Sequence, residues 1–404
     1  MSVNLCVVGG GASGLAAAIT AARAGGAVTL LEAQPRVGRK LLATGNGRCN
    51  ILNADSRPEH YRSAGSGPIP NILAAVSKEE VVAFFASVGV EITEEEGGRM
   101  YPRSRSAGSV ADMLRFEAAR LGVDVTTGRR VNSISPADSG FVITAENGQT
   151  IRADNVILAT GSKAAPHLGG SGGGLDMLGE LGLSPRPFKP ALSPLYVNSS
   201  SLKALRGVRV GCALELVKSG SVLRREIGEL QFTEHALSGI AVFGLSSVYS
   251  RLSGPRGVFV RADLFPEMSE SELQAMLGER LESLPHLERD DFLSGLLPKR
   301  IGMCLIRESI QDSSKALSPD DIKLIAERAR GWMFEVTGGG NWNQAQAASG
   351  GLPLSALDDN LQSKKYPGLY VCGELLDCDG DCGGHNLRWA WTTGILAGRL
   401  GGRR

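Results

Sequence analysis

The first thirty residues alternate between apolar runs and a helical pattern. Residues 4 to 8 and 27 to 31 are short apolar runs, and residues 12 to 24 between them are rich in alanine at helical spacing. Short apolar runs bounded by turn residues are typical of buried strands, and Gly25-Gly26 is a helix stop. The pattern predicts strand, helix and parallel strand, the repeating unit of a doubly wound sheet.

The middle of the chain carries a different pattern. An alternating segment with Asn147-Gly148 at its centre predicts a hairpin, and it precedes a buried-type strand at residues 156–159. Between residue 191 and about residue 263 short alternating runs replace the strand and helix rhythm, which predicts a β-rich insert. Residues 269–330 carry acidic helix starts such as Ser269-Glu270, so this part is predicted to be helical.

The last sixty residues return to the first pattern. GLYVCGE at 368–374 predicts a strand, and a helix is predicted from Asn386 to Gly398. The insert therefore interrupts a domain that closes near the C-terminus. We find no internal repeat.

Composition limits the function classes. The 404 residues are 42% hydrophobic and carry 43 lysines and arginines against 42 acids, which is typical of a folded enzyme and gives no support to a polyanionic partner. No run reaches the roughly 18 apolar residues of a membrane span, and the first residues lack the features of an export signal. Seven irregularly spaced cysteines favour a reducing compartment, and no metal-ligand spacing is present. A cytoplasmic protein without a metal site is expected.

A glycine-rich turn follows the first strand. GGGASG places Gly9, Gly11 and Gly14 at the G-x-G-x-x-G spacing, and Glu32 ends the second strand. Such glycines permit a sharp turn, backbone approach to a pyrophosphate and close packing of helix on strand, while the acid binds ribose hydroxyls. The alternative is a glycine turn without a ligand. Strand, helix and acid together favour dinucleotide binding.

Three further segments favour FAD over NAD. The polar loop ATGNGRCN follows the basic segment after Glu32, where a nicotinamide domain would continue into its next helix. The segment VILATG predicts a strand that ends in the turn at residues 159–161, as in glutathione-reductase-like flavoproteins. The segment GLYVCGE ends in Gly373-Glu374, where a carboxylate can bind ribityl hydroxyls. Their order along the chain predicts an FAD site.

Five segments of the chain carry a family resemblance: GGGASGLAAA, KLLATGNGRCN, LGGSGGG, FTEHALSG and GELLDCDGDCGGHNLRWAW. In these segments the chain resembles the bacterial NAD(P)/FAD-dependent oxidoreductases of the BaiN type, also called aminoacetone oxidase-like flavoproteins. The resemblance covers nearly the whole chain. It implies an α/β fold in which a doubly wound, Rossmann-like FAD domain carries an inserted β-barrel and a small helical domain. The chain departs from the family pattern at His235 and His385, where tyrosine is usual, so a relative's substrate preference need not carry over.

The resemblance also implies boundaries and binding residues. The FAD domain would span 1–190 and 345–404, with the barrel at 191–265, the helical insert at 266–325 and a return segment at 326–344. The implied FAD-binding residues are Gly9, Gly11, Ala12, Ser13, Gly14, Glu32, Ala33, Arg39, Lys40, Thr44, Asn46, Gly47, Arg48, Cys49, Asn50, Val131, Ala159, Thr160, Gly161, Gly373, Glu374, Gly384, Asn386 and Leu387.

Catalytic candidates are few. Cys49 lies where related disulfide reductases carry a dithiol, but no second thiol follows, so a structural cysteine is the better interpretation. For His385, at the predicted helix start, proton transfer and simple backbone hydrogen bonding stay open as alternatives. Trp389 and Trp391 cannot share one helix face, so at most one faces the site.

The predicted function is oxidation or reduction of a small molecule by hydride transfer through FAD. NAD(P)H-linked reduction is the leading version, with the nicotinamide as a transient co-substrate because only one fingerprint exists. An oxygen-using amine oxidase and a flavin-bearing redox sensor or binding protein are the alternatives. No nucleic-acid or membrane partner is expected, and the sequence does not indicate an oligomeric state.

Overall fold

The computed structural model describes residues 4–65, 67–310 and 316–402. These residues divide into two compact units, one formed by 4–190 with 345–402 and one by 191–344. Each unit has its own apolar core. No helix within the described ranges combines the length and apolarity that a bilayer span requires.

The helices alternate with short strands in the first unit and cluster in the second. In chain order they are α1 Ala12–Arg23, α2 Arg39–Ala43, α3 Ile69–Ala75, α4 Lys78–Ser87, α5 Ala107–Arg120, α6 Gly173–Glu180, α7 Leu202–Leu205, α8 Ile240–Arg251, α9 Glu270–Ser283, α10 Lys299–Ser309, α11 Pro319–Arg330 and α12 His385–Gly398.

The strands of the first unit before the insert are β1 Asn4–Val8, β2 Ala27–Leu31, β3 Leu52–Asn53, β4 Tyr61–Arg62, β5 Ile92–Glu94, β6 Arg99–Pro102, β7 Asp124–Thr126, β8 Val131–Pro136, β9 Phe141–Ala145, β10 Thr150–Ala153, β11 Asn155–Leu158 and β12 Arg186–Ala191. The remaining strands are β13 Leu195–Asn198, β14 Arg209–Lys218, β15 Ser221–Phe232, β16 Ala236–Ser238, β17 Val258–Asp263, β18 Trp332–Gly339, β19 Ala347–Gly351, β20 Leu369–Val371 and β21 Asp379–Gly380.

A five-stranded parallel sheet is the centre of the first unit. Its order is β20-β11-β1-β2-β7, so β1 lies in the middle and the segments on both sides of the insert contribute strands. The buried apolar runs of β1 and β11 explain this position, because strands covered on both faces lack polar alternation. The predicted strand, helix and strand at the start of the chain are confirmed, as are the hairpin β9–β10 and the predicted fold class.

The second unit combines a closed barrel with helices. The barrel order is β13-β16-β15-β14-β17-β18. Ser269 and Ser318 cap α9 and α11 in capping boxes, as the acidic helix starts predict. Residues 311–315 of the predicted helical segment lie outside the described residues.

Two helices of the second unit were not predicted. The segment described above as β-rich contains the short helix α7, Leu202–Leu205, and the longer helix α8, Ile240–Arg251. Eight of the twelve residues of α8 are buried, among them three serines, so this helix shows no polar face that would reveal a period of 3.6.

Candidate active site

One elongated cavity in the first unit brings the predicted motifs together. The residues that line it run from Arg129, Arg130 and Val131 at one end, past the start of α1, to Asn386 and Leu387 at the start of α12. The predicted residues that line it are Gly9, Gly11, Ala12, Ser13, Glu32, Ala33, Arg39, Lys40, Thr44, Val131, Ala159, Thr160, Gly161, Glu374, Asn386 and Leu387.

The three glycines of the motif, Gly9, Gly11 and Gly14, have different surroundings. Gly9 has a φ of +107°, and a Cβ there would lie 2.4 Å from the Ala159 carbonyl oxygen. A Cβ on Gly14 would lie 1.8 Å from the Gly9 carbonyl oxygen, so this glycine allows the helix to pack on the strand. A Cβ on Gly11 would meet no atom within 4 Å, because it would point into the cavity that Gly11 lines. Of these three positions, Gly11 is the one with the open space that a ligand needs to approach the backbone.

The helix ends that face the cavity suit an anionic ligand. Neither α1 nor α12 has a side-chain cap or an acid in its first turn. The N–H groups of a helix's first turn have no partner within the helix and carry a partial positive charge. The Thr160 hydroxyl, which lines the same cavity, is buried and has no hydrogen-bond partner. These groups fit the pyrophosphate and flavin of FAD.

Charged side chains at the cavity are already held in place. Both oxygens of Glu32 accept backbone N–H groups, from Gly10 and Gln34, at 2.7 Å. Lys40 Nζ lies 2.6 Å from Glu374 Oε2, while the other oxygen of Glu374 accepts from the Ala348 N–H at 3.2 Å. The two carboxylates are therefore oriented before any ligand arrives, which is what ribose and ribityl recognition requires.

Other predicted residues do not line the cavity. They are Gly14, Asn46, Gly47, Arg48, Cys49, Asn50, Gly373, Gly384 and His385. Gly384 has a φ of +105°, and a Cβ there would lie 2.6 Å from the Leu52 carbonyl, so it shapes the start of α12. Arg48 stacks on the Tyr101 ring, 4.4 Å from its centroid, and lies 3.5 Å from Glu95.

The surroundings of Cys49 and His385 shift the pKa of each side chain. Cys49 is fully buried, and this burial raises the pKa of its thiol to about 12, so it is a protonated structural thiol at neutral pH. Burial, together with the positive charge of the stacked His60 ring, lowers the pKa of His385 to about 4. His385 is therefore neutral at neutral pH.

Trp389 and Trp391 separate as helix geometry requires. Trp389 lines the cavity and donates to the Gly373 carbonyl at 3.2 Å. Trp391 points away from the cavity, donates to the Ile51 carbonyl at 3.0 Å and packs edge-on against Phe85. The structure thus confirms that at most one of them faces the site.

Sequence reasoning missed a loop and several single residues. The missed cavity residues are Val8, Leu31, Gln34, Gly38, Leu41, Arg129, Arg130, Ser162, Leu168, Gly169, Gly170, Ser171, Gly173, Gly174, Met177, Gln346, Cys378 and Ala390. The glycine string LGGSGGG was the available signal for the loop. The loop that contains this string forms one wall of the dinucleotide cavity.

The chain matches known proteins along its length. The family model described as HI0933-like protein Rossmann domain matches residues 3–400. A 3-dehydro-bile acid delta(4,6)-reductase of Clostridium scindens is 36% identical over 407 residues, covering 98% of each chain. A ribosomal RNA dihydrouridine synthase of Escherichia coli is 29% identical over 393 residues, covering 96% of this chain and 95% of that protein.

The fold also matches solved structures. A 3-ketosteroid delta1-dehydrogenase from Sterolibacterium denitrificans, solved with 1,4-androstadiene-3,17-dione, superposes with a TM-score of 0.51 over 98% of this chain and 99% of that chain. The sequence identity is 13%, so the match shows a shared fold.

Proposed function

The chain belongs to the HI0933-like family of FAD-dependent oxidoreductases, and from this premise we propose that it reduces a carbon–carbon double bond conjugated to a carbonyl group, with NAD(P)H as the donor. The main support for the proposal is the cavity. Its lining includes the start of α1, the start of α12 and the carboxylates of Glu32 and Glu374, whose orientations are fixed by hydrogen bonds. FAD bound there would accept a hydride from the donor and pass it to the acceptor.

The names of the relatives support this bond type. One relative is named as a delta(4,6)-reductase of a 3-dehydro-bile acid, and another makes dihydrouridine. Saturating a ring double bond next to a carbonyl is the chemistry common to both names. The reaction balances when NAD(P)H gives up a hydride and is oxidised, while the double bond takes that hydride and a proton from water.

Within the proposed site, the protein orients and stabilises the cofactor. Glu32 and Glu374, held by backbone N–H groups and Lys40, would accept the ribose and ribityl hydroxyls. The first turn of α1 would bind the pyrophosphate. The N–H groups of Asn386 and Leu387 would meet the pyrimidine edge of the flavin, where reduction places negative charge.

A small-molecule substrate is favoured by the charges of the second unit. Residues 191–344 contain 18 lysines and arginines against 19 acids. Arginines on the barrel lie next to glutamates, with Arg206 3.1 Å from Glu234 and Arg209 3.2 Å from Glu229. Pairing of this kind neutralises the positive potential that phosphate backbones require. Reduction of uridine in ribosomal RNA is the second candidate, which the name of the 29% identical relative supports.

Anaerobic stopped-flow measurements test the proposal. Oxidised holoenzyme is mixed with NADH, NADPH or a panel of primary amines, and loss of the oxidised flavin absorbance is followed. The reduced enzyme is then mixed with a steroid dienone, with unmodified ribosomal RNA or with oxygen. We expect reduction by a nicotinamide and rapid reoxidation by the dienone.

Other outcomes would replace the proposal. Reduction by amines with fast reoxidation by oxygen would establish an amine oxidase instead. Reoxidation by RNA alone would establish the second candidate, and no reduction by any donor would favour a sensor or binding protein.

A further inference from the structure

A charged cluster lies behind the start of α12, outside the cavity lining. His60 Nδ1 is 3.0 Å from Asp381 Oδ2, and His60 Nε2 is 2.9 Å from Asp55 Oδ2. Arg62 donates to the other oxygen of Asp381 at 2.5 Å. Nδ1 makes a hydrogen bond with Asp381, whereas Nε2 lies within ion-pair distance of Asp55 without hydrogen-bond geometry. A positive charge on the ring is attracted by both carboxylates at these distances. The geometry therefore favours an imidazolium at His60.

The surroundings of His60 agree with this protonation state. Partial burial works against the charge, but the two carboxylates outweigh that effect and raise the pKa of His60 above its usual value. The side chain of His60 is 24% exposed, so its proton can exchange with solvent.

The cluster joins two distant segments of the chain. The Asp381 N–H donates to the His60 carbonyl at 2.9 Å. Strand β21, which ends at the residue before Asp381, pairs with β4, which begins at the residue after His60. The ring of His60 stacks on that of His385, the first residue of α12, with centroids 4.3 Å apart. The contacts of His60 therefore set the position of residues 379–385.

The next residue connects this loop to the cavity. The side chain of Asn386 accepts from the Gly380 N–H at 2.9 Å and donates to the Gly380 carbonyl at 2.8 Å. The Asn386 side chain is thus hydrogen-bonded to the loop of residues 379–385, while Asn386 and Leu387 line the cavity. A displacement of the loop would move the N–H groups of these two residues.

We propose that His60 is a positioning residue for FAD: its protonated ring, held between Asp55 and Asp381, fixes the start of α12, and FAD binds more weakly once the ring loses its proton. The proposal concerns cofactor affinity and does not depend on the substrate. FAD binding is measured without turnover, so a failure of the proposed reaction would leave this inference intact.

The direction of the pH effect follows from the charges around the ring. A group whose pKa is raised by folding contributes its full stabilisation below its unfolded pKa and loses it as the pH rises through the folded pKa. Two neighbouring groups, His385 and Asp55, do not titrate in that range. His385 is neutral above about pH 4, and hydrogen bonds from Arg57, with the nearby His60 ring, hold the pKa of Asp55 far below its usual value. The charged and titratable groups around His60 are Asp55, Arg57, Tyr61, Arg62, Asp381, His385 and Arg388.

The test is the dissociation constant of FAD from about pH 6 to about pH 9, the range in which a raised histidine pKa falls. For the wild-type protein we expect the constant to rise about two- to fivefold across this range, the size of a partly exposed ion pair. His60→Gln should bind FAD with the weaker constant at every pH. His235→Gln is the matched control, because His235 is 77% exposed and lies in the second unit.

Two further measurements keep the outcome decisive. Histidine NMR of the holoenzyme should show His60 titrating above its usual pKa of about 6.5. If His60→Gln does not fold, Asp55→Asn, at a side chain that is 38% exposed, should move the rise in the dissociation constant to lower pH. Equal pH profiles for wild type and His60→Gln, or a His60 that titrates below its usual range, would overturn the proposal.

Discussion

Replacing Gly11 with valine should separate cofactor binding from folding. The backbone at Gly11 has φ −79° and ψ −166°, a conformation open to any residue, and a Cβ there meets no protein atom within 4 Å. The valine side chain would instead stand in the cavity in front of the first turn of α1. We therefore expect a folded protein that does not retain FAD.

The size of the effect follows from the N–H groups that the side chain would block. A hydrogen bond to a charged group contributes about 1.5–3 kcal/mol, so keeping the pyrophosphate from two N–H groups would cost about 3–6 kcal/mol. This corresponds to a dissociation constant about 10²- to 10⁴-fold higher. The free energy of unfolding of the apoprotein should change by less than about 1 kcal/mol, because the new atoms make no clash and the unfolded chain loses some freedom.

The assay compares three variants by FAD titration and by urea unfolding of the apoprotein. Gly179→Val is the matched control, since Gly179 lies on α6, lines no part of the cavity and also has open space around its Cβ. Gly14→Ala should lose both fold and flavin because its Cβ would overlap the Gly9 carbonyl. Wild-type FAD affinity in Gly11→Val would refute the placement of the pyrophosphate, and a large loss of apoprotein stability would refute the claim of open space.

Three other outcomes are expected. Trp389→Phe should shift the visible spectrum of the bound flavin, because Trp389 lines the cavity. Trp391→Phe should leave the spectrum unchanged and lower the free energy of unfolding by about 1–3 kcal/mol through a lost buried hydrogen bond. Equal spectra for both variants would contradict this. Cys49 should resist alkylation in the native holoenzyme at neutral pH and react only after unfolding, as mass spectrometry of the labelled peptides would show. A chain in which a short linker joins Pro190 to Ala345 should still fold and bind FAD, because each unit has its own core; calorimetry and flavin content check this, and a folded product without FAD would contradict it.

The sequence predicts the parts of the molecule that depend on neighbours along the chain. The β1-α1-β2 unit, the β9–β10 hairpin and the serine caps of α9 and α11 are local, and each carries turn or cap residues that identify it. Helix α8 was missed because burial on most of its surface removes the polar face on which the prediction depends.

The parts that could not be predicted depend on contacts between distant residues. Lys40 meets Glu374 across 334 positions, and His60 meets Asp381 across 321. Nothing in the spacing of the individual residues indicates such pairs. The lowered pKa of His385 has the same origin, since the ring of His60 stacked on it comes from a different part of the chain.

The strand order of the central sheet has a consequence for the synthesis of the protein. Strand β20 is an edge of that sheet, and α12 packs on α1 so closely that a Cβ on Gly394 would lie 2.3 Å from the Ser13 carbonyl oxygen. Residues 191–344 contain a complete barrel and core. During translation they are made before β20 and α12, the elements that complete the first unit. Nascent chains arrested before α12 is made would lack the helix that completes the dinucleotide cavity. Flavin retention thus marks chains whose translation has passed α12.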